Sequence, residues 1–370
     1  MKKRAVFLVL AVILLAACFI PGAVRAESGL AVSSTSVKVS FPGSITFNVS
    51  ARSDVNITDI RLHYTVERMT HAHVISEEYI NFTPAKDITA QYVMDMRRTG
   101  GLPPGSSLTY WWTVTDASGK EIETLPDRIE IEDARYDWHS LQQGLVTLFW
   151  YKGDDTFAGE LMDAAQQALG RLAENSGAEL ETPVSLYIYA SSIDLQGSMI
   201  FPQEWTGGVA FTQYGIIAIG IAPTASELAW GKRAISHELT HLVVHRVTFN
   251  PYNQIPPWLD EGLAMNSEGE LELQFTAALA NAEANNTLIS VRSLSSPFSA
   301  YADQAVQAYA ESHEIVAYLI NEYGREKMFE LLGAFKEGSG YDEALKSVYG
   351  FDMDGLNTLW QAALETAAAR

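Results

Sequence analysis

The segment Ile235-Ser-His-Glu-Leu-Thr-His-Leu-Val-Val-His245 carries three of the chain's eight histidines, spaced four apart. Its first part, His237-Glu238-Leu239-Thr240-His241, is an HExxH sequence. On a helix, side chains four apart stand on one face, one turn above the other, so two imidazoles can meet one metal ion. Glu238 sits about 100° round the helix from His237, beside such an ion and outside its ligand set. A carboxylate placed there can act as general base on an attacking water. The surroundings permit the helix, since Ala225 to Val247 contains no proline and only Gly231 as a glycine.

A catalytic zinc usually takes three protein ligands and keeps one position open. His245 is the nearest candidate, but eight residues of helix put it about 12 Å along the axis from His237. Zinc–nitrogen bonds are only about 2 Å long, so one ion cannot span all three rings. His245 is expected to be packed or exposed at the helix end, or to support the site from outside the ligand set. A carboxylate from a second helix is the better third ligand. In Pro256-Pro-Trp-Leu-Asp-Glu-Gly262 the prolines can start such a helix and carry Glu261 inward, giving zinc the set His237, His241 and Glu261. The one cysteine is Cys18, so the rest of the chain offers no thiolate ligand, disulfide or thiol nucleophile.

Here the sequence resembles a known family. HExxH followed by Trp258-Leu-Asp-Glu-Gly-Leu-Ala264 looks like the gluzincin metallopeptidases, and most of all the bacterial peptidase MA-like group. In that family the Glu of W-x-x-E-G is the third zinc ligand, which implies the same for Glu261. Gln307 to Gly324 resembles a later helix of these proteins. A tyrosine at its start stabilises the oxyanion in gluzincin aminopeptidases, and the resemblance implies that role for Tyr309. His313, four residues on, could share its face. Asp342-Glu-Ala-Leu345 and Leu359-Trp360 extend the likeness, which spans about 140–370.

Two departures matter. The G-x-M-E-N element that holds the substrate amine in the aminopeptidases is absent, and Gly207-Gly-Val-Ala-Phe211 with Ile216 to Ile221 stands in the place of the strand beside the cleft. Such a strand can pair with an extended peptide, so an endopeptidase is expected. Asp260 replaces the usual asparagine before the ligand glutamate and is expected to support the ligands. The expected function is hydrolysis of peptide bonds, with zinc as cofactor, Glu238 as base and Tyr309 at the oxyanion. Two rivals stay open: a silent, peptidase-like binding or scaffold protein at the cell surface, and a zinc amidase acting on a non-peptide amide.

The elements around this site fall into two regions. From 29 to 133, short alternating runs such as Ser44 to Val49, Ile57 to Val66 and Leu108 to Val114 are separated by Pro/Gly turns. They predict an all-β sandwich, and Leu102 to Gly119 resembles fibronectin III or immunoglobulin-like modules of secreted bacterial proteins. Trp111 and Trp112 should face opposite sides of that sheet, one of them in the core. His71 and His73 are expected to be surface residues. From 136 to 370 the pattern predicts an α+β zincin-like domain: strands at 145–151, 184–189, 207–214 and 216–221, a helix at 156–175, and helices almost throughout after 225.

Residues 1–26 have the form of a targeting segment: Met1-Lys-Lys-Arg4, an uncharged run from Ala5 to Ile20, then small residues before Glu27. Leu15-Ala-Ala-Cys18 also resembles a bacterial lipobox, in which Cys18 would carry lipid and provide the only membrane attachment. On either reading the chain is exported, as a secreted or a cell-surface protein. Hydrophobic residues make up 47% and charged residues 19%, a globular composition. A formal net charge of −20 argues against nucleic acid as a partner, because the phosphate backbone would be repelled. The expected partner is a peptide or protein substrate.

Overall fold

A computed structural model describes residues 29–203, 206–299 and 301–368. The targeting segment and Cys18 lie outside the described residues. No helix among the described residues is long and apolar enough to cross a membrane.

The first region is built from β1 (Ala31–Ser40), β2 (Ser44–Val66), β3 (Ser76–Tyr79), β4 (Ala85–Asp95), β5 (Ser107–Asp116), β6 (Glu121–Glu123) and β7 (Asp127–Glu130). The sequence suggests two strands between 44 and 66, but β2 is one continuous strand. Its first half pairs with β1 and β4, its second half with β3 and β5. The residues facing inward are Ile45, Phe47, Val49, Ala51 and Ile57, then Ile60 and Leu62. The phase shifts by one where the β2–β5 register slips between Ile57 and Asp59. An inserted residue bends a strand and increases its twist, and here it curls the sheet over its own core. The expected fibronectin III or immunoglobulin-like sandwich is therefore corrected: hydrogen bonds run through β2 and join all seven strands into one antiparallel sheet. Trp112 is fully buried in its core, and Trp111 lies on the other face, stacked on His63.

The second region starts with β8 (His139–Gln143) and β9 (Val146–Trp150), crosses through α1 (Asp155–Ser176) to β10 (Val184–Tyr189), and continues through α2 (Ser192–Gln196) to β11 (Gly208–Phe211) and β12 (Ile216–Gly220). The sheet order is β11-β12-β10-β9-β8, with β9, β10 and β12 parallel and an antiparallel strand at each edge. The parallel strands are near-continuous apolar runs because both faces are covered. One face packs on α1 and on α3 (Ala225–Val247), through Ile235, Leu239 and Leu242. The other carries a cluster of aromatic rings, including Tyr136, Trp138, Tyr151, Tyr187 and Tyr189. The two regions join over this cluster. Asp133 is buried, held by Arg135 at 2.6 Å and by the Tyr189 hydroxyl at 2.8 Å.

The rest is helical: α4 (Pro257–Glu268), α5 (Leu273–Ala284), α6 (Ala302–Tyr323), α7 (Arg325–Lys336), α8 (Tyr341–Tyr349) and α9 (Met353–Ala368). Val243 and Val244 of α3 pack against Trp258, Leu259 and Leu263 of α4 and against Ile315, Val316 and Leu319 of α6 in a second core. With the sheet on one side and α4 on another, α3 has one face left for the cleft, the face that bears its histidines.

Candidate metal centre and cleft

The helix bearing the histidines is well started. Thr224 caps α3 by accepting from the Glu227 N–H. Pro257 occupies the first position of α4, where the missing N–H costs nothing. Gly262 then sets how closely α4 approaches α6, since a Cβ there would lie 2.4 Å from the Ser312 carbonyl oxygen. This close crossing brings Tyr309 of α6 beside Glu261.

The structure brings His237, His241 and Glu261 together. The two Nε2 atoms are 3.0 Å apart, and Glu261 Oε2 lies 3.3 Å from one and 3.4 Å from the other. These are close contacts for Glu261 without hydrogen-bond geometry, and its Oε2 is a buried oxygen with no hydrogen-bond partner. Four tetrahedral ligands with bonds of about 2.0–2.1 Å stand about 3.3 Å from one another. The three atoms thus have the mutual spacing of three corners of such a site, and the orphaned oxygen has a reason to be there. The residues fit a metal ion.

The far side of each imidazole is held by a carboxylate. His237 Nδ1 lies 2.8 Å from Glu268 Oε1, and His241 Nδ1 lies 2.9 Å from Asp260 Oδ1. With carboxylates as acceptors, each Nδ1 carries the hydrogen and each Nε2 presents its lone pair to the shared centre. Glu268 is itself held by Arg233 at 3.1 Å. His245 does not reach the centre. Its Nε2 bonds Asp260 Oδ2 at 2.7 Å, so it supports the support. Behind the ligands, Thr240 donates to Ser267 at 2.7 Å and Ser267 donates to the Ser236 carbonyl at 2.9 Å, tying α3 to α4.

The electrostatics agree with a cation site. Burial lowers the affinity of His237 for a proton, but Glu261 and Glu268 outweigh it and raise the imidazole to about 9. His241 is raised well above its usual value, with Asp260 and Glu261 overcoming the same burial. The field that favours a proton on these rings favours a divalent cation between them. Glu238 is pushed up by burial, while His237 and His241 pull it down. It faces the edge strand closely: a Cβ on Gly208 would stand 2.9 Å from its Oε1. Tyr309 stays protonated, because burial first and then the charges of Glu261 and Glu238 raise it far above the tyrosine range. Its ring centre is 6.5 Å from that of His237.

Other sequence candidates are placed elsewhere. His313 contacts Glu314 at 3.0 Å and is not among the cleft residues. His73 is exposed. His71 is exposed too, as expected, and its ring stacks on Phe249 with centres 3.9 Å apart at the wall of the cleft. Sequence reasoning missed Glu268 and Gly208. Glu268 has a legible signal, since it stands two helical turns after Glu261 on the same face of α4.

The family model described as Peptidase MA superfamily matches residues 164–366. A comparison with curated proteins finds no significant match. Among solved structures, wild-type OgpA from Akkermansia muciniphila is 8% identical over 29% of this chain and 28% of that one, at a TM-score of 0.23. The chain therefore spans well under two thirds of that protein's length. An M1 zinc metallopeptidase from Deinococcus radiodurans is 12% identical over 90% of this chain and 94% of that one, at 0.36. Legionella pneumophila aminopeptidase A, solved with aspartic acid, is 11% identical over 90% and 50%, at 0.41. The family match covers more than half of the 370 residues, includes the HExxH helix, α4 and α6, and shows that the chain belongs to the Peptidase MA superfamily.

Proposed function

We propose that this chain is an exported zinc-dependent peptidase that cuts within polypeptide chains, with a β region at 29–133 and the hydrolase at 136–370. The observation that carries the reading is the spacing of three ligand atoms, 3.0, 3.3 and 3.4 Å, with Glu238 on the same helix beside them. His237, His241 and Glu261 would hold the zinc. When bound, zinc supplies Lewis acidity, which makes water a competent nucleophile near neutral pH and polarises a carbonyl.

The chain's own residues do the rest. Glu268 and Asp260 fix the two imidazoles so that their lone pairs need no reorganisation. Glu238 takes the proton from the attacking water and later passes it to the leaving nitrogen. Its burial eases the protonated form through which it passes between the two steps. The Tyr309 hydroxyl, kept protonated, donates to the oxygen on which negative charge develops. β11 is an edge strand, and its outer side, where the Ala210 N–H bonds Glu238, can pair with an extended substrate and hold its scissile bond over Glu238. Export rests on the sequence of residues 1–26, as a secreted form or a lipoprotein anchored through Cys18.

The test is a panel of unstructured peptides with the zinc-loaded protein. Internal cleavage that a chelator abolishes and added zinc restores supports the reading. A protein that binds zinc and cleaves no peptide would instead favour a scaffold role or another amide.

A further inference from the structure

A cavity of about 820 Å³ opens beside the metal centre. Asp260, Glu261 and Tyr309 line its inner end. Its outer wall comes from the other region of the molecule, from the loop between β2 and β3. The Met69 N–H donates to the Gln213 carbonyl at 2.7 Å, and His71 stacks on Phe249. All four residues line the cavity. The β region thus contributes surface to the cleft, which gives it a role in this reaction that its sequence does not disclose.

The direction of a bound chain follows from β11. Gly208, at its start, abuts Glu238 and so stands at the chemistry. Thr212 and Gln213, just past its end, line the cavity. Antiparallel pairing, the more stable arrangement per residue, runs a peptide from the Thr212 end towards the Gly208 end. The residues that precede the scissile bond then occupy the cavity. Its volume is that of a pocket for several groups, too large for one side chain. Among the described residues lining it there is no lysine or arginine, and the charges fixed at its inner end are carboxylates. With Glu261 engaged by the ion it would hold, an acidic side chain would find no lysine or arginine in the lining, only His71, His245 and neutral polar groups, and would meet the Asp260 carboxylate.

Resting on the peptidase reading, we propose that this cavity receives the residues on the amino-terminal side of the scissile bond, that the β2–β3 loop forms its outer wall, and that it selects neutral or cationic side chains over acidic ones.

The experiment is an aspartate scan of a fluorescein-labelled octapeptide that the enzyme cleaves at one central bond. Binding is read by anisotropy on the zinc-loaded Glu238→Gln protein, and cleavage on the zinc-loaded parent. Aspartate in place of asparagine before the bond should weaken binding and kcat/KM about tenfold, and after the bond less than threefold. His71→Ala should raise Kd and KM several-fold for peptides extended before the bond. It should have little effect on the Kd of peptides truncated there. Equal losses on both sides, or a His71→Ala effect that ignores truncation, overturns the proposal. The two readings fail separately: if no peptide is cut, the peptidase reading and the proposal that rests on it both fail, whereas cleavage without the asymmetry overturns the cavity assignment alone.

Discussion

His245 Nε2 lies 2.7 Å from Asp260 Oδ2, and the other oxygen of that carboxylate holds His241 Nδ1 at 2.9 Å. The third histidine of the helix is thus joined to the centre through a carboxylate from α4. Loss of such supporting groups typically costs about 10–100-fold in metal affinity. Asp260→Ala should fall in that range, because it frees both rings. His245→Ala should cost only a few-fold, since Asp260 keeps its bond to His241. Competition with a chromophoric zinc chelator measures both. Equal losses for the two variants would contradict this order.

Glu268 plays for His237 the part that Asp260 plays for His241, at 2.8 Å. Glu268→Ala should weaken zinc binding about tenfold or more. Hydrolysis should fall with it at limiting zinc and recover in excess zinc. A loss of activity that excess zinc does not restore would place Glu268 elsewhere in the mechanism.

Gly208 gives the opposite signature. A methyl group there meets Glu238 Oε1 at 2.9 Å and leaves the three ligands untouched. A displacement of about 1 Å in a reacting group can cost on the order of 100-fold. Gly208→Ala should therefore lower kcat by one to two orders of magnitude with zinc affinity unchanged. Parent-like kcat would show that Glu238 has room to move.

Glu311 predicts a pH dependence of stability. Its carboxyl is fully buried, accepting from the Ile289 N–H at 2.9 Å and from the Gln307 amide at 2.7 Å, and burial outweighs these bonds to raise it from 4.5 to about 7. Between those values the folded chain keeps a proton that the unfolded chain has released. This contribution is therefore fully present at low pH and lost as pH rises through about 7, by at most about 3 kcal/mol. Glu311→Gln should remove the slope and be the more stable protein at pH 8. Denaturant titrations at pH 5 and pH 8 decide, and an unchanged slope would contradict the assignment.

Much of this was legible in the sequence, for physical reasons that differ by element. HExxH on a proline-free helix fixes the relation of His237, Glu238 and His241, because the helix repeat alone does it. The helix of Glu261 was readable from its two prolines. The parallel strands showed as apolar runs. What stayed hidden depends on contacts between elements. The continuity of β2 rests on a bulge, which no local pattern marks. The placement of His71 on Phe249 rests on how two regions meet, the two residues standing 178 positions apart in the chain. The need for glycine at 262 arises from the Ser312 carbonyl of another helix. Tyr309 was reached only through resemblance, and the structure adds its neighbourhood to Glu261.

The central claim, that Glu238 is the base beside a zinc held by His237, His241 and Glu261, is tested most directly by Glu238→Gln. The substitution keeps size and shape and removes the proton acceptor. Metal analysis and peptide hydrolysis are measured on the same preparation. One zinc per chain is expected in parent and variant alike, with hydrolysis reduced by several orders of magnitude in the variant. A Glu238→Gln protein that cleaves peptides at the parent rate, or a parent that cleaves them without zinc, would contradict it.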